Sequence, residues 1–273
     1  MCRVTWQIIR EAKRMFIVLA NYLLIQRRSA KVWLIALLMQ LGCAKWKVSK
    51  LDKGAQTHVG IHKLAYVAIG ASDTQAAGAS SYEHGYVVAF HRYLEQATGR
   101  KWDFINVGRS GARITDVVER QLPLAIAVRP TVVSIWVGGN DVRHRIHPKG
   151  FERLLRGMLR TLREEMNAIV LIANLPEMER QPFARRIAPE EREFLRKQSR
   201  IYNDIIERAA SDFGAILVDL RSVDEMYDER FFCSDGLHPN DVGYKRIAER
   251  FIEALKQNID ALRERIHDRK AVR

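Results

Sequence analysis

From residue 64 onward, short runs rich in Val, Ile and Leu alternate with longer stretches whose apolar residues recur every three to four positions. The runs at 64–69, 103–106, 131–137, 168–173 and 215–219 read as buried strands, because they are short, β-branched and apolar almost throughout. Between them 82–98, 114–128, 148–167 and 190–213 have helical spacing, and 241–267 closes the chain as a further helix. Parallel strands joined by helical crossovers bury both faces of their sheet, so the alternation predicts a three-layer α/β/α sandwich around a central five-stranded parallel sheet. Right-handed crossovers in such a sheet leave ligands at the carboxyl ends of the strands. Functional residues are therefore expected just after the strands.

The 273 residues suffice for one well-buried core, and the strand pattern places it at 63–273. The chain carries a net charge of +13, which raises nucleic acid or an anionic membrane as a partner. Position decides between them. Up to Lys63 there are 12 basic and 2 acidic residues, a surplus of +10, which leaves the remainder at only +3. With no basic recognition helix in the body, no nucleic-acid partner is expected. The N-terminal segment 1–44 also holds the apolar runs 15–25 and 32–41, separated by a charged stretch. Neither reaches the ~20 residues of a spanning helix, whereas a basic start followed by about 7–15 apolar residues fits a secretory signal. Gly42-Cys43 resembles a bacterial lipobox, although Gln40 stands where Leu is preferred. The expectation is a signal-like or membrane-anchoring segment, a lipoprotein if Cys43 is lipidated. A polar linker at 45–62 then leads to an extracytoplasmic, tethered or secreted domain that works as a monomer. The alternatives are a cytoplasmic location and a basic helix lying on a membrane surface. Only Cys233 lies in the body, so the mature domain could hold no internal disulfide.

Four polar constellations sit at the expected strand ends: Gly70-Ala71-Ser72-Asp73, Asn106-Val107-Gly108-Arg109-Ser110-Gly111, Gly138-Gly139-Asn140-Asp141, and Asp235-Gly236-Leu237-His238-Pro239. Singly each reads as a cap or a turn. Chemically they complement one another. A hydroxyl exposed after the first strand needs a base, and Asp235 three residues before His238 can hold one imidazole nitrogen while the other faces Ser72. Pro239 and a helix from 241 would fix that turn.

The order Ser, Gly, Asn, His, each in its block, resembles the SGNH (GDSL-like) hydrolase family of esterases and lipases, over about residues 64–256. The resemblance implies a flavodoxin-like fold and a serine esterase that works through an acyl-enzyme without metal or cofactor. It implies Ser72, Asp235 and His238 as the catalytic triad. It also implies an oxyanion hole made of the Ser72 and Gly111 backbone N–H groups and the Asn140 side-chain amide, with Gly108 a turn residue. The first block departs from the usual Gly-Asp-Ser, since Ala71 replaces the acid and Asp73 follows the serine. The α/β-hydrolase elbow is excluded, because Gly-x-Ser-x-Gly would need glycine where Thr74 stands.

Asp141 is expected to brace its loop, and Arg109, Arg143, His144 and His147 to line a charged rim. His144 and His147 have no carboxylate cluster or third histidine to complete a metal site. Cys233 reads as small apolar filler. The mixed segment 174–188 is expected to wall the acyl pocket, and the substrate to be a small-molecule, lipid or carbohydrate ester. The rival reading is a non-catalytic, membrane-tethered α/β binding module that lost competence with its first-block acid.

Overall fold

The computed structural model describes residues 57–58 and 64–271, so the readings for 1–44 and most of 45–62 lie outside the described residues. Five parallel strands stand where the apolar runs predict them: β2 (Ala65–Gly70), β3 (Asp103–Asn106), β4 (Val132–Trp136), β5 (Ile169–Ala173) and β6 (Ile216–Val218). A two-residue strand, β1 (Thr57–His58), falls within the stretch expected to be linker and pairs antiparallel with β3. The sheet order is β1-β3-β2-β4-β5-β6. Counting the parallel strands alone, this is the 2-1-3-4-5 order of doubly wound flavodoxin-like sheets.

The helices are α1 (Tyr86–Thr98), α2 (Ile114–Asp116), α3 (Leu122–Val128), α4 (Gly139–Arg143), α5 (Pro148–Arg160), α6 (Pro189–Asp212), α7 (Asp241–Lys256) and α8 (Ile259–Ala271). β2, β3, β4 and β5 are buried along their whole length, as a sheet covered on both faces demands. The chain steps from β2 to β3 in one direction and from β3 to β4, β5 and β6 in the other. Right-handed crossovers therefore set α1 on one face and α3, α5 and α6 on the opposite one. α1 packs on α7 with Tyr86 stacked on Phe251, and α5 packs on α6 with Phe151 against Tyr202. Within the sheet Tyr66 stacks on Phe104, and its hydroxyl is 2.7 Å from the Ser134 Oγ, so the buried phenol is paired.

The helices depart from the expected spans in ways that matter locally. The stretch 114–128 is interrupted by a π turn over Val117–Gln121, and 148–167 ends in a second π turn over Thr161–Glu165. The single helix expected over 241–267 breaks at Gln257 and Asn258, where the Asn258 amide folds back to donate to the Ala254 carbonyl. Residues 82–84 form a 3-10 turn before α1 rather than its first turn. Among the described residues no helix is long and apolar enough to cross a membrane. The direction of chain progression reverses between β3 and β4, and the loops after β2, β3 and β4 meet at that switch point, where a doubly wound sheet receives its ligand.

Candidate active site

Ser72 lies two residues past the end of β2, in helical backbone conformation, and opens a 3-10 turn over Asp73–Gln75. The turn is three residues long and so presents no full helix dipole to the hydroxyl. The Ser72 Oγ is 2.9 Å from His238 Nε2, a contact between residues 166 positions apart. On the other side of the ring, Nδ1 is 2.6 Å from Asp235 Oδ2. A carboxylate only accepts, so Nδ1 carries the proton and donates, which leaves Nε2 as the acceptor for the serine hydroxyl.

The Asp235–His238 turn is held from within. Asp235 Oδ1 accepts from the Leu237 N–H at 2.7 Å, the His238 N–H at 2.9 Å and the Cys233 thiol at 3.1 Å. Burial pushes the Asp235 carboxyl up, but the bonds from the His238 ring and from the backbone outweigh it and hold the group well below the ordinary carboxylate range. It is thus ionised whenever the imidazole needs a partner. Cys233 is more than apolar filler: besides the thiol contact, its N–H donates to the His238 carbonyl and its carbonyl accepts from Gly236 N–H, closing the turn. Asn240 caps α7 through Val242 and Gly243 N–H, so the helix start expected after Pro239 fixes the turn's exit.

Asn140 is the second residue of the short helix α4 after β4, and its Nδ2 donates to the Ala112 carbonyl at 3.1 Å. One of two amide hydrogens is engaged there, and the other remains for a ligand. Ser72 and Asn140 both line the central cavity. Gly111 does not; it sits in an exposed turn beside Ala112, which does line it. Among the described residues neither the Ser72 nor the Gly111 N–H has a hydrogen-bond partner. Gly108, by contrast, is buried against Thr74 and gives its N–H to Asn106 Oδ1 at 2.9 Å. Asp141 is fully buried and accepts from Ile114 N–H with both oxygens, at 3.0 and 3.1 Å, so it ties the third block to the helix after the second. Burial raises its carboxyl to about 6, against the pull of those same bonds.

The cavity at this point measures about 70 Å³ for the centre of a water-sized sphere. Trp136, Val137, Leu175, Met178, Met226 and Leu237 give it apolar walls, and Asp73, Arg143 and Gln181 polar ones. Leu175, Pro176, Met178 and Gln181 of the segment 174–188 wall the cavity, and Phe183 N–H donates to the Gly236 carbonyl at 2.9 Å, which fastens the segment to the Asp235–His238 turn. Of the expected rim only Arg143 borders the cavity, with its guanidinium 6.0 Å from the Phe183 ring centroid. His144 Nδ1 lies 2.8 Å from the Asn140 carbonyl, and His147 caps α5 by accepting from Lys149 N–H. The carboxylate displaced from position 71 to Asp73 faces the cavity, where burial raises its pKa in spite of the neighbouring His238. Trp136 and Met226 escaped the sequence reading. Trp136 reads as one more apolar strand residue, and Met226 lies in a 3-10 turn over Asp224–Tyr227 that carries no motif.

A serine, an imidazole and an ionised carboxylate stand in hydrogen-bonded series beside unpaired amide donors, an arrangement with the parts that nucleophilic chemistry requires. Residues 68–246 match the GDSL-like Lipase/Acylhydrolase family, and the chain belongs to that family. A curated relative, the multidomain esterase of Ruminococcus flavefaciens, is 25% identical over 134 residues, which cover 48% of this chain but only 16% of that protein. Among solved structures, the lipase Lip_vut3 from a goat rumen metagenome superposes with a TM-score of 0.59 at 21% identity, over 70% of this chain and 97% of the lipase. The psychrotrophic esterase EstA from Pseudoalteromonas sp. does so with a TM-score of 0.57 at 19% identity, over 72% and 98%. Axe2, an acetyl-xylooligosaccharide esterase from Geobacillus, also reaches 0.57 at 19% identity, over 71% and 94%. At these identities the likeness establishes the fold.

Proposed function

We propose that the protein is a serine esterase that hydrolyses carboxylic esters through an acyl-enzyme. The observation that carries the reading is the unbroken chain from Ser72 Oγ through His238 to Asp235, at 2.9 and 2.6 Å, opening on a cavity. Ser72 Oγ attacks the ester carbonyl as its proton passes to His238 Nε2, and Asp235 stabilises the imidazolium that forms. The tetrahedral oxyanion is held by the Ser72 and Gly111 N–H groups and the Asn140 amide, each worth ~2.7–4 kcal/mol in such a role. Collapse expels the alcohol, which takes the proton from His238; water then repeats the sequence on the acyl-serine and releases the acid. An intact proton-transfer chain favours this reading over a binding module without activity. Hydrolysis of p-nitrophenyl acetate by the wild type, lost in both Ser72→Ala and His238→Ala, is the expected result. Activity that persists in Ser72→Ala discards the nucleophile.

The substrate side of the proposal is a short acyl chain on a polar alcohol. The cavity beside Ser72 is small, about 70 Å³, and its apolar walls suit a short acyl group such as acetyl to butyryl. Asp73, Arg143 and Gln181 supply the hydrogen-bonding groups a hydroxylated alcohol requires. The basic and apolar residues before Lys63 support export and membrane tethering of the domain, for which the mass of the mature N-terminus is the test: a lipidated Cys43 is expected, and an unprocessed Met1 rules it out.

A further inference from the structure

A buried carboxamide grips the end of the strand that delivers the nucleophile. Gln121 is 1% exposed, and its Oε1 accepts from the Gly70 N–H at 3.0 Å while its Nε2 donates to the Gly70 carbonyl at 2.9 Å. Gly70 is the last residue of β2, two before Ser72. Nothing larger fits there, since a Cβ would lie 2.0 Å from Thr74 Oγ1 and 2.9 Å from the Trp136 carbonyl. The chain is thus most permissive immediately before the turn whose geometry matters most. The two bonds with Gln121 hold both peptide planes that flank the Gly70 Cα, the second of them together with the Arg109 N–H, which reaches the Gly70 carbonyl at 3.2 Å, and with them the direction in which Ala71 and Ser72 leave the strand. Ala71 has no polar side chain with which to anchor the turn.

Gln121 is the last residue of the π turn over Val117–Gln121. The Leu122 N–H bonds to the Val117 carbonyl, one residue further back than in an α-helix. Val117 and Gln121 are the buried residues of this turn. Such turns are unfavourable in isolation and gather at functional sites. Burying an amide costs free energy unless its hydrogen bonds are satisfied, and this one satisfies them on a single backbone residue of the nucleophile strand.

We propose that Gln121 is a positioning residue for catalysis: it locks Gly70 so that the Ser72 N–H is aimed at the developing oxyanion. The inference rests on Ser72 being the nucleophile. Its test compares the wild type, Ser72→Ala, Gln121→Met and Gln121→Asn for kcat and KM on p-nitrophenyl acetate. The rate of Ser72 labelling by a fluorophosphonate is followed in parallel, each protein well below its own Tm. Methionine keeps the length and loses both bonds; asparagine keeps the amide and falls short by one methylene. Complete loss of an oxyanion donor costs about 10²–10³ in kcat, so misalignment in Gln121→Met is expected to cost about 10–100-fold in kcat and in labelling rate, with KM within about twofold. Gln121→Asn is expected to lie between it and the wild type, and it carries the same test if the methionine variant fails to fold. A folded variant whose Tm falls while kcat and labelling stay at wild-type values overturns the positioning role and leaves the esterase standing. A wild type that neither hydrolyses the ester nor takes the label at Ser72 overturns the esterase, and this inference with it.

Discussion

Asp235→Asn separates orientation from charge in the proposed proton relay. Asparagine keeps the Oδ1 acceptor that receives Leu237 and His238 N–H, so the turn should hold its shape and Tm should move little. In place of Oδ2 it turns an N–H₂ donor toward His238 Nδ1, now 2.6 Å from a carboxylate oxygen. Nδ1 must then accept, the proton moves to Nε2, and the ring presents a donor to Ser72 where it should present a base. Two costs combine. Attraction between imidazolium and carboxylate is about 4 kcal/mol at ~4 Å and an effective dielectric of ~20, and solvent reduces it to roughly 2 because the Asp235 side chain is 45% exposed. Restoring the productive tautomer breaks the new amide–imidazole bond, a further ~1–3 kcal/mol. A loss of about 3–5 kcal/mol is about 10²–10⁴ in kcat, with KM nearly unchanged. Steady-state hydrolysis of p-nitrophenyl acetate measures it. A folded Asp235→Asn enzyme with kcat within about fivefold of wild type would refute the argument that this carboxylate sets the tautomer.

The remaining expectations are simpler. The Asp141 carboxyl is raised to about 6 in the fold against ~3.9 unfolded, so the folded state holds its proton more tightly. The stability this confers is complete below pH ~4 and is lost as pH rises through about 6, by up to about 3 kcal/mol. Denaturant unfolding of Asp141→Asn, which does not titrate, should therefore gain on the wild type by that amount between pH 4 and 7; a pH-independent difference contradicts the assignment. Gly236 has φ +69, and a Cβ there would meet the Phe183 nitrogen at 2.8 Å. Gly236→Ala should cost about 2–3 kcal/mol, lower Tm by about 5–10 °C and loosen the cavity wall from the triad turn, raising KM; an unchanged Tm and KM would show the contact to be dispensable. Across p-nitrophenyl esters, kcat/KM should fall at least about tenfold from butyrate to octanoate, and a rising series would show that the cavity extends beyond the 70 Å³ described.

Much of the molecule was legible because burial on both faces leaves most of the parallel strands as short, predominantly apolar runs, and the five runs fall within one or two residues of β2 to β6. The four polar blocks were legible because each follows a strand or leads into a helix, where the fold must put its chemistry. Other features are set by contacts that no local pattern encodes. β1 exists only through its pairing with β3. α4 opens on two glycines, which read as a turn. Apolar spacing does not distinguish a π turn from an α turn, so Gln121 looked like an ordinary polar residue of an amphipathic helix. The tertiary fold makes it one of the most buried polar groups.

His238 and Asp235 belong to one tightly closed turn, whereas Ser72 follows the first parallel strand, 166 residues before His238. Their meeting is secured by the seating of α7 on the loop after the serine, through the Tyr244 hydroxyl on the Ala77 carbonyl and the Asp241 carboxylate on Ser80. On the proposed mechanism the base arrives ready-made but useless until the two ends of the domain close on each other. Catalytic competence is then a gauge of global folding rather than of local order, and during refolding it should be among the last properties to return, after the sheet has assembled.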